Sequence, residues 1–562
     1  MRSIEPGRAV TTTLDSRNDK NRVAFYHPLA FWLGTLGLVV GVCLEGAVFA
    51  RAAPMGYKMA GMPMGRLMPM GMWLIIFGIG SSGYGLMPPR SPIYGNAKGT
   101  HRIALDEACV ITEDIPLSHN HWKMLAVLTV ALMVDAMKPA TLGFILPGVA
   151  AEYHLTEQVV AILPFVALIG TMMGSMAWGV IGDRIGRRSS ILVASLIFIG
   201  TSTCGAMPTF DWNVFMCFLM GLSAGGLLPI ALTLLSETVP ARQRSGLLVL
   251  VGGIGAVGGY LVTASCALLL EPHFGWRIMW FLGLPTGLAL ILLNRYIPES
   301  PRFLIHQGRM AEAQRLMARF GAELAFRKKA YKRPFRQDIN EKTALRELFQ
   351  RPYLPLTLSL NFFAVTLGLV SFAFLLWMPT DLHNLGFTID ASNVILTHSG
   401  AISFIGVPVA AWLSLRWSTK GSLVLFTSLL AIALSFFIAQ GNAIVQHTIT
   451  LTVLITMVMV SANSILAMLL PYSAEVYGNR IRARGVGMVA ASTKVGGVVG
   501  LGVLLVGTTP GLSVSAILVA IPVMLSVVLF KWCGIETRGR CLEEIRLPEG
   551  QSVVRAAGGQ LQ

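Results

Sequence analysis

Apolar runs of about 20 residues recur along this chain, each long enough to cross a hydrocarbon layer about 30 Å thick. Inside lipid every backbone N–H and C=O must be satisfied within its own segment, so such runs fold as helices. The runs are not interrupted by the polar faces that buried helices of a large soluble protein would need. Charged residues make up 13 % of the 562 positions, against about 25 % in an ordinary soluble domain, and mean hydropathy is +0.65. The expected class is an all-α polytopic membrane protein.

Two spans lie near 28–50 and 67–87. Six more fall near 122–149, 158–181, 190–208, 212–236, 246–270 and 276–297. After a break, a further six lie near 354–378, 392–414, 421–440, 447–473, 486–507 and 512–532. The domain reading follows: a disordered tail over 1–27, an extra membrane hairpin and polar connector over 28–121, and a six-helix bundle over 122–304. A linker over 305–352, a second six-helix bundle over 353–533 and a tail over 534–562 complete it. The first apolar run is too long for the h-region of a secretory signal and reads as a retained helix.

The formal charge of +16 invites a nucleic-acid reading. Instead, the basic residues concentrate in the loops of one side, as positive-inside topology requires. Residues 305–352 alone hold 12 Lys/Arg against 5 Asp/Glu, and "GRMAEAQRLMARF" within them has the pattern of an amphipathic surface helix. The loops of the other side, at Glu152 to Glu157, Asp211 and Glu271, are acidic or neutral. Both termini and the linker are therefore expected in the cytoplasm. The seven cysteines show no CxxC or Cys/His spacing, so neither a metal centre nor a disulfide framework is indicated. The Met-rich "MGYKMAGMPMGRLMPMGM" reads as apolar filler at the membrane surface.

The two bundles repeat each other. "GDRIGRRSSI" follows the second core span, and "SLRWSTKGSL" follows the eighth, aligning Arg, Arg/Lys and Ser while Leu415 stands where the first copy has Asp183. After the fourth core span Glu237 precedes Arg244 by seven residues, and after the tenth Glu475 precedes Arg482 by the same interval. These positions read as ion pairs on one face. Six spans, a basic linker and six more is the plan of a transporter built from repeats. "GVIGDRIGRR" resembles the loop motif of the major facilitator superfamily. "PESPRFLIHQGRMAEA" (298–313) and "GIETRGRCLEEI" (534–545) resemble its sugar-porter branch and the metabolite:proton and aromatic-acid relatives. The likeness covers about 122–545. It implies two pseudo-symmetric six-helix bundles rocking about a central cavity, here with two additional N-terminal helices.

In that frame Gly179, Asp183, Arg184, Gly186, Arg187 and Arg188 form a gate on the basic side, with Glu237, Arg244, Glu475 and Arg482 beside it. A negative charge gains nothing from topology there, which singles out Asp183 as a latch that must break on opening. Ionisable groups inside spans are costly and default to functional roles. Asp135 and Lys138 share one face of the first core span. Lys494 lies about 13 Å into the eleventh, from the 1.5 Å rise per residue. His398 is a candidate proton relay, and Trp377 a candidate cavity wall. Aromatic-acid symporters carry a DGxD-type signature where this chain has Asp135-Ala136-Met137-Lys138, and the superfamily's usual Arg in the fourth span is Cys217 here.

These residues point to a plasma-membrane secondary transporter for a small polar organic solute, most naturally an acid, with protons as the coupling ion. No cofactor, metal or nucleic acid is expected, nor an enzyme; membrane lipid surrounds a monomer. Export, sugar facilitation and nutrient sensing are the alternatives. A sensor would carry a signalling tail, and the residues after 545 are few.

Overall fold

The computed structural model describes residues 26–62, 65–87, 108–111, 116–307, 309–321, 323–326, 348–350, 353–441, 447–477, 482–506 and 512–537. The expected tail over 1–27, most of the linker and the C-terminal tail therefore lie largely outside the described residues. The architecture is all-α, and 14 helices are long and apolar enough to span a membrane. Helices α1 (Pro28–Arg51) and α2 (Leu67–Leu86) form the extra hairpin. The first bundle holds α3 (His119–Tyr153), α4 (Ile162–Ile185), α5 (Arg187–Thr201), α6 (Phe210–Thr238), α7 (Ala241–Phe274) and α8 (Gly283–Leu293). Two short helices follow, α9 (Pro301–His306) and α10 (Met310–Arg319). The second bundle holds α11 (Leu354–Leu369), α12 (Ile389–Arg416), α13 (Thr419–Gln440), α14 (Thr448–Val476), α15 (Arg482–Val506) and α16 (Leu512–Cys533).

Glycine sets how closely these helices approach. In lipid, apolar side chains gain little from meeting one another, so backbone contact through small residues supplies the packing. Gly170 and Gly174 of α4 face Gly221 and Gly225 of α6. A Cβ on Gly221 would fall 2.0 Å from the Ala167 carbonyl oxygen, and one on Gly225 2.3 Å from that of Thr171. The hairpin uses the same device at seven-residue spacing. A Cβ on Gly34 would meet the Gly78 oxygen at 2.7 Å, and one on Gly41 the Gly71 oxygen at 2.8 Å.

Two features place the hairpin and connector relative to the bundle. Strand β1 (Ala108–Ile111) pairs antiparallel with β2 (Glu323–Phe326), Cys109 opposite Ala325. Apolar periodicity gave no sign of this ribbon, because both strands sit in polar segments too short to show a period. It puts the connector on the same side as the basic linker. There Asn120 at the start of α3 donates to the Arg319 carbonyl at 2.9 Å, and α10 buries Ala313, Leu316 and Met317.

The opposite end is tied by Glu152 and Arg277. Their closest N···O distance is 2.8 Å, and both are buried. Glu152 also accepts from Trp276 Nε1 at 2.8 Å and from the backbone N–H groups of Met59 and Ala60 at 2.7 and 2.9 Å. Arg277 donates to the carbonyls of Gly205 and Met207 at 3.1 and 2.9 Å and to Tyr153 Oη at 2.8 Å. The α1–α2 loop is thus held at the end remote from the linker, despite its Arg51, Lys58 and Arg66. Glu152→Ala is expected to release that loop and leave Arg277 buried without its anion, a loss of about 3–5 kcal/mol for a broken buried pair. In detergent, trypsin should then cleave after Lys58 faster than in the parent.

Candidate functional site

On α3, Asp135 and Lys138 stand one turn apart, 3.4 Å between Oδ1 and Nζ. Lys138 also donates to Ser223 Oγ of α6 at 3.3 Å and lies 4.2 Å from the ring centre of Phe198 of α5. The Ser223 hydroxyl donates onward to the Ala194 carbonyl at 3.0 Å. Lys138 therefore points into the first bundle, its side chain 2 % exposed, while the Asp135 side chain keeps 13 %. The lysine backs the aspartate rather than facing the opposite bundle.

Across the bundle interface, Lys494 of α15 lies within electrostatic reach of the Asp135 carboxylate. Its Nζ sits 5.5 Å from the ring centre of Phe372, a distance at which an aromatic face attracts a cation. Phe372 rides on a π-helical turn, Val370–Leu375, that extends α11; such widened turns cluster at functional sites. Among the described residues Lys494 makes no hydrogen bond or ion pair at bonding distance.

Just beyond that turn Trp377 is buried, and its indole N–H finds no partner among the described residues. Here the second bundle abuts α3: a Cβ on Gly143 would fall 2.8 Å from the Leu376 carbonyl oxygen. His398 lies elsewhere, exposed on the stripe of α12 that also carries Val394, Ile402 and Ile405. Cys217 is fully buried in the core.

At the basic end, the α4–α5 turn is gripped from within its own bundle. Gly186 takes φ +94°, where a side chain would be strained, and a Cβ would lie 2.5 Å from Glu299 Oε2. Glu299 Oε1 accepts from the backbone N–H groups of Arg187, Ser300 and Arg188 at 2.8, 3.0 and 3.4 Å. Burial pushes its carboxyl above the usual range, while these three N–H groups pull it back down. Arg187 donates to the Gly182 carbonyl at 2.9 Å, and Arg188 to Asn294 Oδ1 at 2.9 Å. Glu237 accepts from the Ser300 hydroxyl. Gly179 is helical, Arg184 exposed and Glu475 half-buried. The side chains of Asp183, Arg244 and Arg482 lie outside the described residues.

The second bundle repeats the grip. Glu536 accepts from the Ser418 hydroxyl and, at 3.1 Å, from the Thr419 N–H at the start of α13. Glu299-Ser300 and Glu536-Thr537 follow the last span of each bundle, so both carboxylates cap the third helix of their own repeat, where partial positive charge favours an anion. Sequence reasoning quoted both motifs and assigned neither glutamate a role; the internal repeat was the signal available.

At the far end the bundles are bridged twice. Asn384 Nδ2 donates to Glu157 Oε1 at 2.5 Å, and Asn393 Nδ2 to Glu271 Oε2 at 3.2 Å. In each bridge the amide comes from the second bundle and the carboxylate from the first.

The family model described as sugar (and other) transporter matches residues 120–547. The niacin transporter NiaP of Acinetobacter baylyi is 27 % identical over 69 % of this chain and 87 % of its own length. The 4-hydroxybenzoate transporter PcaK of the same organism is 28 % identical over 75 % of this chain and 92 % of its own. Among solved structures, the partially occluded inward-open xylose transporter XylE from E. coli aligns with a TM-score of 0.58 at 16 % identity, over 75 % of this chain and all of that one.

Glu299→Ala is expected to leave the α5 N-terminus uncapped, costing about 1 kcal/mol. A melting curve in detergent should register a drop of about 2–4 °C.

Proposed function

This chain belongs to the sugar (and other) transporter family of the major facilitator superfamily, and from that premise we propose that it carries a small aromatic carboxylate inward together with protons. It is a multi-pass membrane transporter of small solutes, not an enzyme; substrate and coupling are the proposal. The observation that carries it is Lys494: an ammonium with no hydrogen bond or ion pair among the described residues, beside the Phe372 ring and facing Asp135 across the bundle interface. A cation next to an aromatic wall suits a carboxylate borne on a ring, and niacin and 4-hydroxybenzoate, in the names of two relatives, are such acids. The buried Trp377 N–H adds a donor near the same interface.

In the proposed cycle, the substrate carboxylate takes Lys494 and displaces it from the field of Asp135. Asp135 then accepts a proton, with Lys138 held beside it by Ser223. Binding energy shifts the balance between two arrangements of the bundles only so far as it differs between them. The Asn384–Glu157 and Asn393–Glu271 bridges close the outer side and break when the site opens outward. The Glu299 and Glu536 grips keep each cytoplasmic turn rigid, with Asp183, Arg184 and Arg187 as the surface that latches when the inner side shuts and Arg188 anchored beneath them on Asn294. In this reading the linker and both termini are cytoplasmic, and the protein is a plasma-membrane monomer.

Uptake into proteoliposomes tests the reading with radiolabelled nicotinate and 4-hydroxybenzoate, under an imposed pH gradient and with the gradient collapsed. Lys494→Ala is expected to cut carboxylate uptake by about tenfold, the worth of 1.4 kcal/mol, with Lys494→Arg in between. Asp135→Asn should transport without response to the gradient. Uptake of xylose in place of both acids would overturn the proposal.

The bridges are tested separately. Asn384→Ala with Asn393→Ala removes two hydrogen bonds worth about 1 kcal/mol each. A cysteine introduced at Phe165, near the start of α4 and against Gly502 of α15, should then react with an impermeant maleimide several times faster from the outside.

A further inference from the structure

We propose that the basic end of α13 and α16 holds the headgroup of an anionic phospholipid, with an acyl chain lying in the groove between the two helices. The groove has a volume of about 440 Å³, with Lys420 and Lys531 at its mouth, Trp417 beside them, and Val424, Leu425 and Ser428 along its floor. This inference takes only its orientation from the transport reading, and its assay involves no transport.

Three observations carry it. First, neither lysine is spent on an ion pair or hydrogen bond among the described residues. The carboxylate at this end, Glu536, already accepts from the Ser418 hydroxyl and the Thr419 N–H. With Arg416 exposed nearby, three cations face the one charge of Glu536, a net positive mouth at the start of a helix, where an anion is favoured.

Second, the position matches a headgroup layer. Span α13 begins at Thr419 and α16 ends at Cys533. Trp417 and Trp532 are 53 and 83 % exposed, as tryptophans of the aromatic belt are. Basic pockets between helices on the cytoplasmic side suit anionic headgroups.

Third, the floor is apolar and long. From Lys420 to Ser428 the groove follows α13 for about 12 Å at 1.5 Å per residue, into the depth of the acyl chains. The Ser428 hydroxyl offers no hydrogen to a ligand there, since it donates to the Val424 carbonyl at 2.8 Å. A free phosphate would use the mouth and leave this floor empty; a phospholipid fills both.

The test is the melting temperature of the full-length protein in detergent, with dioleoyl phosphatidylglycerol, dioleoyl phosphatidylcholine or inorganic phosphate added. Phosphatidylglycerol should raise it by about 3 °C more than phosphatidylcholine, and phosphate should leave it unchanged. Lys420→Gln with Lys531→Gln should erase that difference, and Ser428→Trp, which fills the floor but keeps both charges, should erase it too. Equal shifts with the two lipids, or a phosphate shift matching that of phosphatidylglycerol, would overturn the proposal. Should the double variant not fold, quenching by brominated-chain lipids decides on folded protein. Phosphatidylglycerol should quench the parent more than Trp417→Phe, and a quench equal to that by phosphatidylcholine overturns the site.

Discussion

A helix surrounded by acyl chains gains almost nothing by trading a lipid neighbour for a leucine. What holds this molecule together is the close approach of backbones where side chains are missing, with a few polar ties at the ends. Gly170 and Gly174 against Gly221 and Gly225 make α4 and α6 a single slab. The glycines of α1 and α2, seven apart, make the hairpin another. Slabs of this kind move as units, because an interface of backbone against backbone has no side chains to yield. Rigid units of this kind suit a transporter whose bundles rock against each other.

Against that background charge is scarce, and the buried ions differ in what holds them. Lys138 is spent inside its bundle, on Asp135 and Ser223. Arg277 is spent on Glu152 and three carbonyl or hydroxyl oxygens at the end remote from the linker. Among the described residues Lys494 is spent on neither a hydrogen bond nor an ion pair, which sets it apart from the groups that carry structure. Breaking a buried pair costs far more than the pair adds to stability, so Glu152 and Arg277 act as a fixed pin rather than a moving part.

The pseudo-symmetry reaches further than the spans. Glu299 and Glu536 cap equivalent turns of the two repeats, although the turns themselves have diverged, with Leu415 where Asp183 stands in the first. The grip survives that divergence because it uses backbone N–H groups, which any residue provides. The bridges between the bundles at the end remote from the linker show the opposite economy: they depend on particular side chains, Asn384 and Asn393, and two neutral amides are cheaper to separate from carboxylates than two cations would be.

Much of this was legible without a fold. Hydrocarbon thickness alone dictates the length of an apolar run, so the spans, their number and the repeat followed from residues in order. The cost of an ion in lipid pointed to Asp135, Lys138 and Lys494 one by one. Their division of labour did not follow: Asp135 and Lys138 share a helical face, yet only packing against Phe198 and Ser223 turns the lysine inward. The role of Ser223, the pairing of β1 with β2, the pinning of the α1–α2 loop by Glu152 and the His398 side chain on the outer stripe of α12 were equally hidden. Each depends on which segments distant in the chain become neighbours, and periodicity reports on one segment at a time. Sequence determined what must lie in the membrane; tertiary structure decided which of the described charges are paired and which are not.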